Sequence, residues 1–306
     1  RSVSHHTIVA GTGHLPQAAI DVVASHDLDG PIVSVVPTDN DHRPGDEHED
    51  LDLITIEADL LDESLLDRLH LDRAECVLLL TPHDCANLEV ASRIGTRIDE
   101  TGPAVFTHVS ALDMLRELKR SELLDPVSPF NEHRLAARKL VDTKLRDRFG
   151  KTGRQDQVVL AGFGKFGQTV LEQLQQRTSS MIRHVVAVDR NGGAESALFE
   201  EQVGVDDTHA YTEIDGELED PRTWQTIGDS LEPEAAPPVF MLGTSNEDLN
   251  LRMAMLQWPH HVESLFVVRS YYHPSLARRM EKQRDFEIHN VADLLRNGLA
   301  ELIEAT

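Results

Sequence analysis

The amino-acid sequence predicts an α/β protein with two tandem domains, each built on a doubly wound, mostly parallel sheet. In the segment 158–190, an apolar run leads into a glycine-rich turn, a helical pattern and a second apolar run. An internal repeat of about 155 residues brings the same order of elements back along the chain. Apolar runs that alternate with helical patterns are typical of parallel sheets, and the glycine turn is typical of their Rossmann-like form.

The glycine-rich turn spans Gly162–Gly167 and has the spacing GxGxxG. Gly162 would make the turn, Gly164 would let backbone N–H groups approach a pyrophosphate, and Gly167 would let the helix pack closely against the strand. The helix N-terminus adds unpaired N–H groups and a partial positive charge. Asp189, which ends the second apolar run, is placed to accept hydrogen bonds from ribose hydroxyl groups. The segment predicts a nucleotide site; in the alternative interpretation, the glycines serve only the geometry of the turn.

The first half of the chain contains a weaker copy of this turn. Gly11 and Gly13 match the first two glycines, but Pro16 replaces the third. Proline is tolerated in a first helical turn, although it removes one donor that would face a phosphate. Asp39 would take the place of Asp189. The predicted strands are 7–10, 32–36, 52–57, 76–80 and 104–109, and the predicted helices are 18–24, 62–69, 88–98 and 111–120.

The second half repeats this order after a long basic helical segment, Asn131–Phe149. We therefore predict a first domain over residues 1–125, a connector over 126–154 and a second domain over 155–306. The segment 190–207 has no clear pattern. The predicted strands of this half are 158–161, 185–189, 208–214, 239–242, 264–268 and 286–290, and its helices after the one that follows the glycine turn are 219–227, 251–257, 274–282 and 291–304.

A short motif, T-x-x-[DE]-x-x-N, occurs once in each half. It comprises Thr81, Asp84 and Asn87 in the first copy, and Thr244, Glu247 and Asn250 in the second. Each copy follows a predicted strand and therefore lies at the carboxyl edge of the sheet, where ligands of open α/β folds bind. The acid or the asparagine could cap the following helix, or these side chains could contact a ligand. The sequence leaves both interpretations open.

Composition narrows the classes of partner. The 306 residues carry a formal net charge of −24, which argues against nucleic acids and anionic lipid surfaces. Two cysteines are too few for a disulfide framework, so we expect a reducing compartment, the cytosol. No apolar run approaches the ~20 residues that span a bilayer. The sequence starts at Arg1 without a signal-peptide pattern, so a membrane segment upstream in the same chain is compatible with it.

Both halves resemble the N-terminal nucleotide-binding lobe of RCK domains, also called TrkA-N or KTN domains. The residues that carry this resemblance are the turn Gly162–Gly167, the acid Asp189, the turns Ala58-Asp59 and Asp215-Gly216, the two T-x-x-[DE]-x-x-N segments, and Phe266-Val267-Val268-Arg269, in which the arginine follows the strand 264–268. In this family, such lobes form the cytosolic regulatory parts of potassium channels and transporters. The basic segment 131–149 resembles the crossover helix by which these lobes hold a neighbour.

The resemblance implies a cytoplasmic ligand-sensing domain that binds NAD(H) or an adenine nucleotide (ATP, ADP or AMP) and couples binding to the gating of ion flux. It implies a partner in the membrane, the pore domain of a potassium channel or transporter, and a homo-oligomer, either a tetrameric ring or a dimer. It implies no catalysis and no nucleic-acid partner. The candidate ligand residues are Gly162, Phe163, Gly164, Lys165, Phe166, Gly167, Asp189, Arg190, Asp215, Thr244, Asn250 and Arg269.

Two alternatives belong to other functional classes. The first is a gating-ring domain that senses a divalent cation through acidic clusters at Asp46–Asp52 or Asp206-Asp207, although the sequence has no EF-hand spacing. The second is an NAD-dependent oxidoreductase. Beyond the fold nothing supports it, since the sequence has no Tyr-x-x-x-Lys pair, and a fold alone does not define a function.

Overall fold

The computed structural model describes residues 5–25, 30–38, 52–98, 101–270 and 291–304. They divide into two compact units, of which the first comprises Arg1–Glu132 with Arg296–Thr306 and the second comprises His133–Leu295. Each unit holds one sheet whose strand pairings are all parallel. The predicted fold class, two tandem Rossmann-like domains, is thereby confirmed.

The first unit has a six-stranded sheet in the order β3-β2-β1-β4-β5-β6. Its strands are β1 (His6–Ala10), β2 (Ile32–Val36), β3 (Leu53–Glu57), β4 (Ala74–Leu79), β5 (Ala104–His108) and β6 (Ser128–Phe130). Its helices are α1 (His14–Ser25), α2 (Glu63–Arg68), α3 (Asp84–Gly95) and α4 (Leu112–Ser121). The sequence did not predict β6, because three residues with a central proline do not give a strand pattern.

The second unit has a five-stranded sheet in the order β9-β8-β7-β10-β11. Its strands are β7 (Asp156–Ala161), β8 (Ile182–Asp189), β9 (Ala210–Asp215), β10 (Val239–Leu242) and β11 (Leu265–Val268). The remaining helices are α5 (Glu132–Leu140), α6 (Arg146–Lys151), α7 (Lys165–Thr178), α8 (Gly192–Gln202), α9 (Pro221–Ser230), α10 (Glu247–Gln257) and α11 (Val291–Glu304). Within the first unit, Arg296 of α11 pairs with Asp21 of α1.

Two sequence predictions differ from this architecture, and three others lie outside the described residues. The segment 190–207, which has no clear sequence pattern, contains helix α8. The basic segment 131–149 is helical but contains a π-helical turn at Val141–Leu145 between α5 and α6. The predicted helix 274–282, the predicted strand 286–290 and Asp39 lie outside the described residues.

The strand order of the second unit determines where a ligand site can form. From β7 the chain moves to β8 and β9 on one side, and it returns to place β10 and β11 on the other side. Ala161, the last residue of β7, is level with Val188 of β8 and Leu242 of β10. The residues that follow these strands are therefore neighbours. Ligands of doubly wound sheets bind at this point, where the strand order reverses.

At the opposite, amino end of the same sheet, two histidines are buried. His184 and His209 are only 4% and 8% exposed. His184 Nε2 lies 2.9 Å from Thr212 Oγ1, whereas neither ring nitrogen of His209 has a hydrogen-bond partner among the described residues. Burial lowers the pKa of both side chains, and the carboxylates of Glu232 and Asp206 oppose this effect at His184 and His209 respectively. Each histidine is therefore neutral in the folded unit at neutral pH.

We expect the second unit to lose stability as the pH falls from 7.5 to 5.5. Below about pH 6.5 the unfolded chain binds protons that the buried histidines resist, and each unit of pKa depression costs about 1.4 kcal/mol once the pH is below both values. Urea denaturation at several pH values should show a smaller loss for the double variant His184→Gln/His209→Gln. Burial also lowers the pKa of His261. Because this histidine is present in both proteins, its contribution to the loss of stability cancels in the comparison. An equal loss in both proteins would contradict this assignment.

Candidate functional site

A cleft of about 580 Å³ opens at the carboxyl end of the second sheet. It is formed by the turn after β7, the ends of β8 and β9, and the residues that follow β10 and β11. Eight of the candidate ligand residues line it: Gly162, Gly164, Lys165, Phe166, Asp189, Arg190, Thr244 and Arg269. The cleft therefore coincides with the reversal of strand order and with the glycine-rich turn.

The three glycines of the turn differ in whether the backbone conformation or the packing around them excludes a larger residue. Gly162 has φ +98°, and a Cβ atom there would lie 2.7 Å from the backbone nitrogen of Thr244. A Cβ atom at Gly167 would lie 2.4 Å from the carbonyl oxygen of Gly162. Gly164 has φ −76°, which any residue can adopt, and an added Cβ atom would meet none of the described residues within 4 Å. The fold thus requires Gly162 and Gly167, whereas the packing of the described residues does not require Gly164.

Asp189 is held in place by the glycine turn at the end of β8. Its Oδ2 accepts a hydrogen bond from the backbone N–H of Phe163 at 3.0 Å, and its Oδ1 accepts one from the N–H of Asn191 at 3.3 Å. A carboxylate has about four acceptor positions. Asp189 therefore has a fixed orientation and retains acceptor capacity toward the cleft that it lines.

Arg269 enters the cleft from the end of β11. Its guanidinium carbon lies 5.6 Å from the centre of the Phe166 ring, and its Nη1 donates to the carbonyl oxygen of Gly243 at 3.4 Å. The Phe166 ring is buried, and a Cβ atom at Gly243 would come within 3.1 Å of it. Phe166 thus supports the guanidinium by a cation–π contact, which brings a positive charge beside the N-terminus of α7.

The asparagine of the repeated motif ties two strand ends together in both units. Asn250 is wholly buried, and its Oδ1 accepts from the N–H and the hydroxyl of Thr244 at 3.1 and 2.6 Å. Its Nδ2 donates to the carbonyl oxygens of Thr244 and Arg269 at 2.9 and 3.1 Å. Asn87 makes the same four bonds, at the same distances, to Thr81 and His108. This asparagine therefore joins the ends of the fourth and fifth strands of its unit, and it does not cap its helix.

The acidic residue of the motif, Asp84 or Glu247, also forms hydrogen bonds to the residues that follow the fifth strand of its unit. Asp84 accepts hydrogen bonds from the backbone N–H groups of Ser110 and Ala111 at 2.8 and 3.0 Å, and from the Ser110 hydroxyl at 3.0 Å. Glu247 accepts from the hydroxyl of Ser270 at 3.0 Å. In both units the acid thus connects the start of a helix to the chain that follows the fifth strand. The side chain that caps α10 is Asn246, which the motif did not single out.

Four candidate ligand residues lie outside the cleft lining: Phe163, Gly167, Asp215 and Asn250. Phe163 is buried and packs edge-on against Phe199 of α8 at 5.7 Å. Asp215 Oδ1 accepts from the N–H of Gly193 at 3.0 Å, in the first turn of α8. These residues build the wall of the cleft or hold the neighbouring helix.

The family comparison matches residues 7–127 to the TrkA-N domain. The matched residues all lie in the first unit. The resemblance stated from the sequence is thereby confirmed. No match was found among curated proteins.

Solved structures extend the likeness over the whole chain, including the second unit. GsuK bound to ADP aligns with a TM-score of 0.65 at 16% identity, over 99% of this chain and 70% of that chain. The GsuK channel bound to NAD aligns with a TM-score of 0.65 at 14% identity, over 99% and 64% of the two chains. The GsuK RCK domain aligns with a TM-score of 0.62 at 14% identity, over 99% and 77%. At these identities the likeness is one of fold.

The first unit has its own cleft of about 520 Å³ at the equivalent sheet edge. Gly11 has φ +128°, and a Cβ atom there would lie 2.7 Å from the carbonyl oxygen of Leu80, so it has the structural role of Gly162. The described lining contains no Lys or Arg and is largely apolar. His14, the counterpart of Lys165, bonds instead to Glu132 at 2.8 Å. Among the described residues, this cleft therefore has fewer positively charged side chains that could bind an anion than the cleft of the second unit.

Several cleft residues of the second unit were not predicted from the sequence: His133, Asn191, Glu195, Gly216, Glu217, Leu218, Glu219, Gly243, Ser245, Asn246 and Leu249. The segment 216–219 follows the tip of β9, so its position after a strand was an available signal. His133 comes from α5, and nothing in its local sequence indicates a place in this cleft. The acidic residues of the cleft include Glu195, which accepts a hydrogen bond from the side chain of Gln168 at 2.7 Å, and Glu219, which forms an ion pair with Arg252.

The structure bears on the cation-sensing alternative only over the described residues. Within them, no group of three or more His, Cys, Asp or Glu side chains is placed to hold a metal ion. The carboxylate of Asp206 accepts from the Ser179 hydroxyl at 2.6 Å and from the Thr208 N–H at 2.9 Å. Most of the other acidic cluster, 46–51, lies outside the described part of the chain.

The helices of the described ranges include none that is long and apolar enough to cross a membrane.

Proposed function

We propose that this chain is a cytoplasmic ligand-sensing domain that regulates a potassium channel or transporter, and that its second unit binds an adenine nucleotide or NAD(H). The observation that carries the ligand assignment is Gly164. It occupies the middle position of the turn and lines the cleft, and an added Cβ atom there would meet none of the described residues within 4 Å. Beyond the mild preference of a helix N-cap for glycine, packing gives no reason for a glycine at this position, so we attribute it to the close approach of a ligand.

The binding mode follows from the cleft lining. The N–H groups of the glycine turn and the start of α7, with the exposed Lys165 beside them, would hold the phosphates. Asp189 would accept hydrogen bonds from the ribose hydroxyl groups. Arg190 and Arg269, which also line the cleft, would add positive charge. This proposal assigns binding to the cleft and no catalytic step.

The regulatory part of the proposal rests on the TrkA-N domain and on the fold shared with GsuK, a channel whose structures with ADP and with NAD are known. A partner pore domain in the membrane and a homo-oligomeric ring or dimer belong to the same proposal. Ligand binding could shift a gate only by the difference in ligand affinity between two arrangements of the assembly.

The test is a calorimetric titration of the chain with NADH, NAD, ATP, ADP and AMP, accompanied by thermal unfolding. We expect at least one of them to bind with a stoichiometry near one per chain and to raise the unfolding temperature by mass action. Binding of none of the five would overturn the ligand assignment. The turn would then be architectural only.

Asp189→Ala is expected to weaken binding of the nucleotide identified in this way about 10- to 100-fold, because hydrogen bonds to a charged acceptor are worth about 1.5–3 kcal/mol each. Asp189→Asn should lose less, since its amide oxygen can still accept from the Phe163 N–H. Asp229→Ala, an exposed site on α9, is the matched control and should bind normally. Unchanged affinity in Asp189→Ala, with the fold intact by circular dichroism, would remove this residue from the site.

A further inference from the structure

Helix α5, where the second unit begins, contributes one side chain to the cleft. His133 lies in the first turn of this helix and lines the cleft with Lys165 and Arg269. Its ring meets the Phe166 ring edge-on, with 6.1 Å between the ring centres and an angle of 74° between the planes. The same Phe166 ring supports the Arg269 guanidinium. Two side chains with N–H donors, from distant parts of the sequence, are thus positioned by one aromatic ring.

Arg269, one of these two donors, lies near a strand end that is away from Asp189. Asp189 ends β8, whereas Arg269 donates to Gly243 at the end of β10. In the strand order β8-β7-β10, these two ends are two strand spacings apart, which is roughly 10 Å at ~4.8 Å per spacing. In the Rossmann binding mode, the first phosphate of a nucleotide whose ribose is held at Asp189 would lie at the glycine turn after β7, between these two strand ends. A second phosphate, or the second half of a dinucleotide, would lie nearer to the end of β10.

Helix α5 is also joined to α7, the helix that follows the glycine turn. Arg134 pairs with Glu172 of α7 at 3.4 Å, and that carboxylate side chain is only 6% exposed. Beyond α5, Asp142 in the π-helical turn accepts two hydrogen bonds from Arg177 at 2.8 and 3.0 Å. Ion pairs near the start of α5 and just after its end therefore hold this helix against α7. His133, whose side chain lines the cleft, lies in the first turn of α5.

We propose that His133 is a ligand contact, whose ring N–H donates to the distal phosphate of a nucleotide held at Asp189, and that this contact orders the first turn of α5. The inference rests on the proposed nucleotide site and makes it selective: the cleft distinguishes nucleoside diphosphates and dinucleotides from nucleoside monophosphates. The charged residues that line the cleft together with His133 are Lys165, Asp189, Arg190, Glu195, Glu217, Glu219 and Arg269, and Glu132 and Arg134 flank it on its own helix. Of these, Glu132 bonds to His14 and Arg134 pairs with Glu172.

The test compares ADP with AMP by calorimetry on the whole chain. His133→Phe keeps an aromatic edge against Phe166 but has no donor, and we expect it to lower ADP affinity about tenfold while AMP affinity changes less than about twofold. His133→Gln, which keeps an N–H donor, should recover part of the loss. Hydrogen exchange adds a second readout: ADP, but not AMP, should slow exchange in the first turns of α5, and His133→Phe should abolish this protection.

The outcomes separate this inference from the proposed function. If the unchanged chain binds no nucleotide, the proposed function fails and the inference fails with it. If ADP binds the unchanged chain and His133→Phe equally well, only the role of His133 is wrong. If His133→Phe weakens ADP and AMP to the same extent, the ring supports the cleft wall through Phe166 and does not contact the distal phosphate. Thermal unfolding without ligand shows whether the variant is folded.

Discussion

Replacement of Asn250 by alanine is expected to lower the free energy of unfolding of the second unit by about 3–5 kcal/mol. The change leaves two donors and one acceptor of Thr244 and the carbonyl oxygen of Arg269 without their buried partner. Each buried polar group that loses its partner costs about 1–3 kcal/mol, and relaxation recovers part of the sum. Urea denaturation followed by tryptophan fluorescence is suitable, because Trp224 and Trp258 both lie in this unit.

The repeated fold provides matched controls. Asn87→Ala removes the same four bonds from the first unit, so it should leave the tryptophan-detected transition of the second unit nearly unchanged. Asn246→Ala removes one exposed helix cap four residues before Asn250 and should cost about 1 kcal/mol. If Asn250→Ala costs no more than Asn246→Ala, the four bonds do not stabilise the unit as inferred.

The sequence located this asparagine but could not assign its role. Spacing in two copies singles out Asn87 and Asn250, and the sequence alone allows two roles for them, a helix cap or a ligand contact. The actual partner includes a carbonyl oxygen 19 residues away, at Arg269. A bond of that kind depends on the alignment of β10 and β11, which no short sequence window contains. The position of a residue at a strand end was therefore predictable, whereas its hydrogen-bond partners were not.

Periodicity explains which elements were predictable. The buried parallel strands β7 and β10 are continuous apolar runs, as expected for a sheet covered on both faces, and the sequence located them within two residues. Helix α8 was missed because its apolar residues, such as Leu198 and Phe199, are spread around the helix and form no stripe. His133 was missed for another reason. It reaches the cleft only because α5 packs beside α7, and this is a tertiary relation.

The cleft residues therefore divide by the physical reason for their identity. Gly162, Gly167 and Asn250 are explained by contacts within the chain, and any protein with this fold would need residues of similar size or bonding there. Gly164 is not explained in this way, and Asp189 retains acceptor capacity after its internal bonds. A motif match alone treats all of these positions alike. The contacts show that Gly164 gives the sharpest test of whether a ligand is present.

Gly164→Ala is expected to leave stability within about 1 kcal/mol and to reduce nucleotide affinity at least 100-fold. The backbone already has a conformation that alanine adopts, and the small cost expected is that of alanine for glycine at a helix N-cap. The added methyl group would stand where the phosphates must approach the backbone N–H groups. Calorimetric titration with the nucleotide that binds the unchanged chain, together with urea denaturation, measures both quantities on one sample.

Two further glycine variants make this result interpretable. Gly167→Ala places a Cβ atom 2.4 Å from a backbone oxygen, so we expect it to lose stability and binding together. Gly228→Ala, in open space on α9, should retain both and gain up to about 1 kcal/mol from helix propensity. If Gly164→Ala behaves like Gly167→Ala, its glycine serves folding and the observation that carries the nucleotide site is lost. If it behaves like Gly228→Ala, the phosphates do not lie on this turn. Only a stable chain that no longer binds nucleotide supports a ligand held at Gly164.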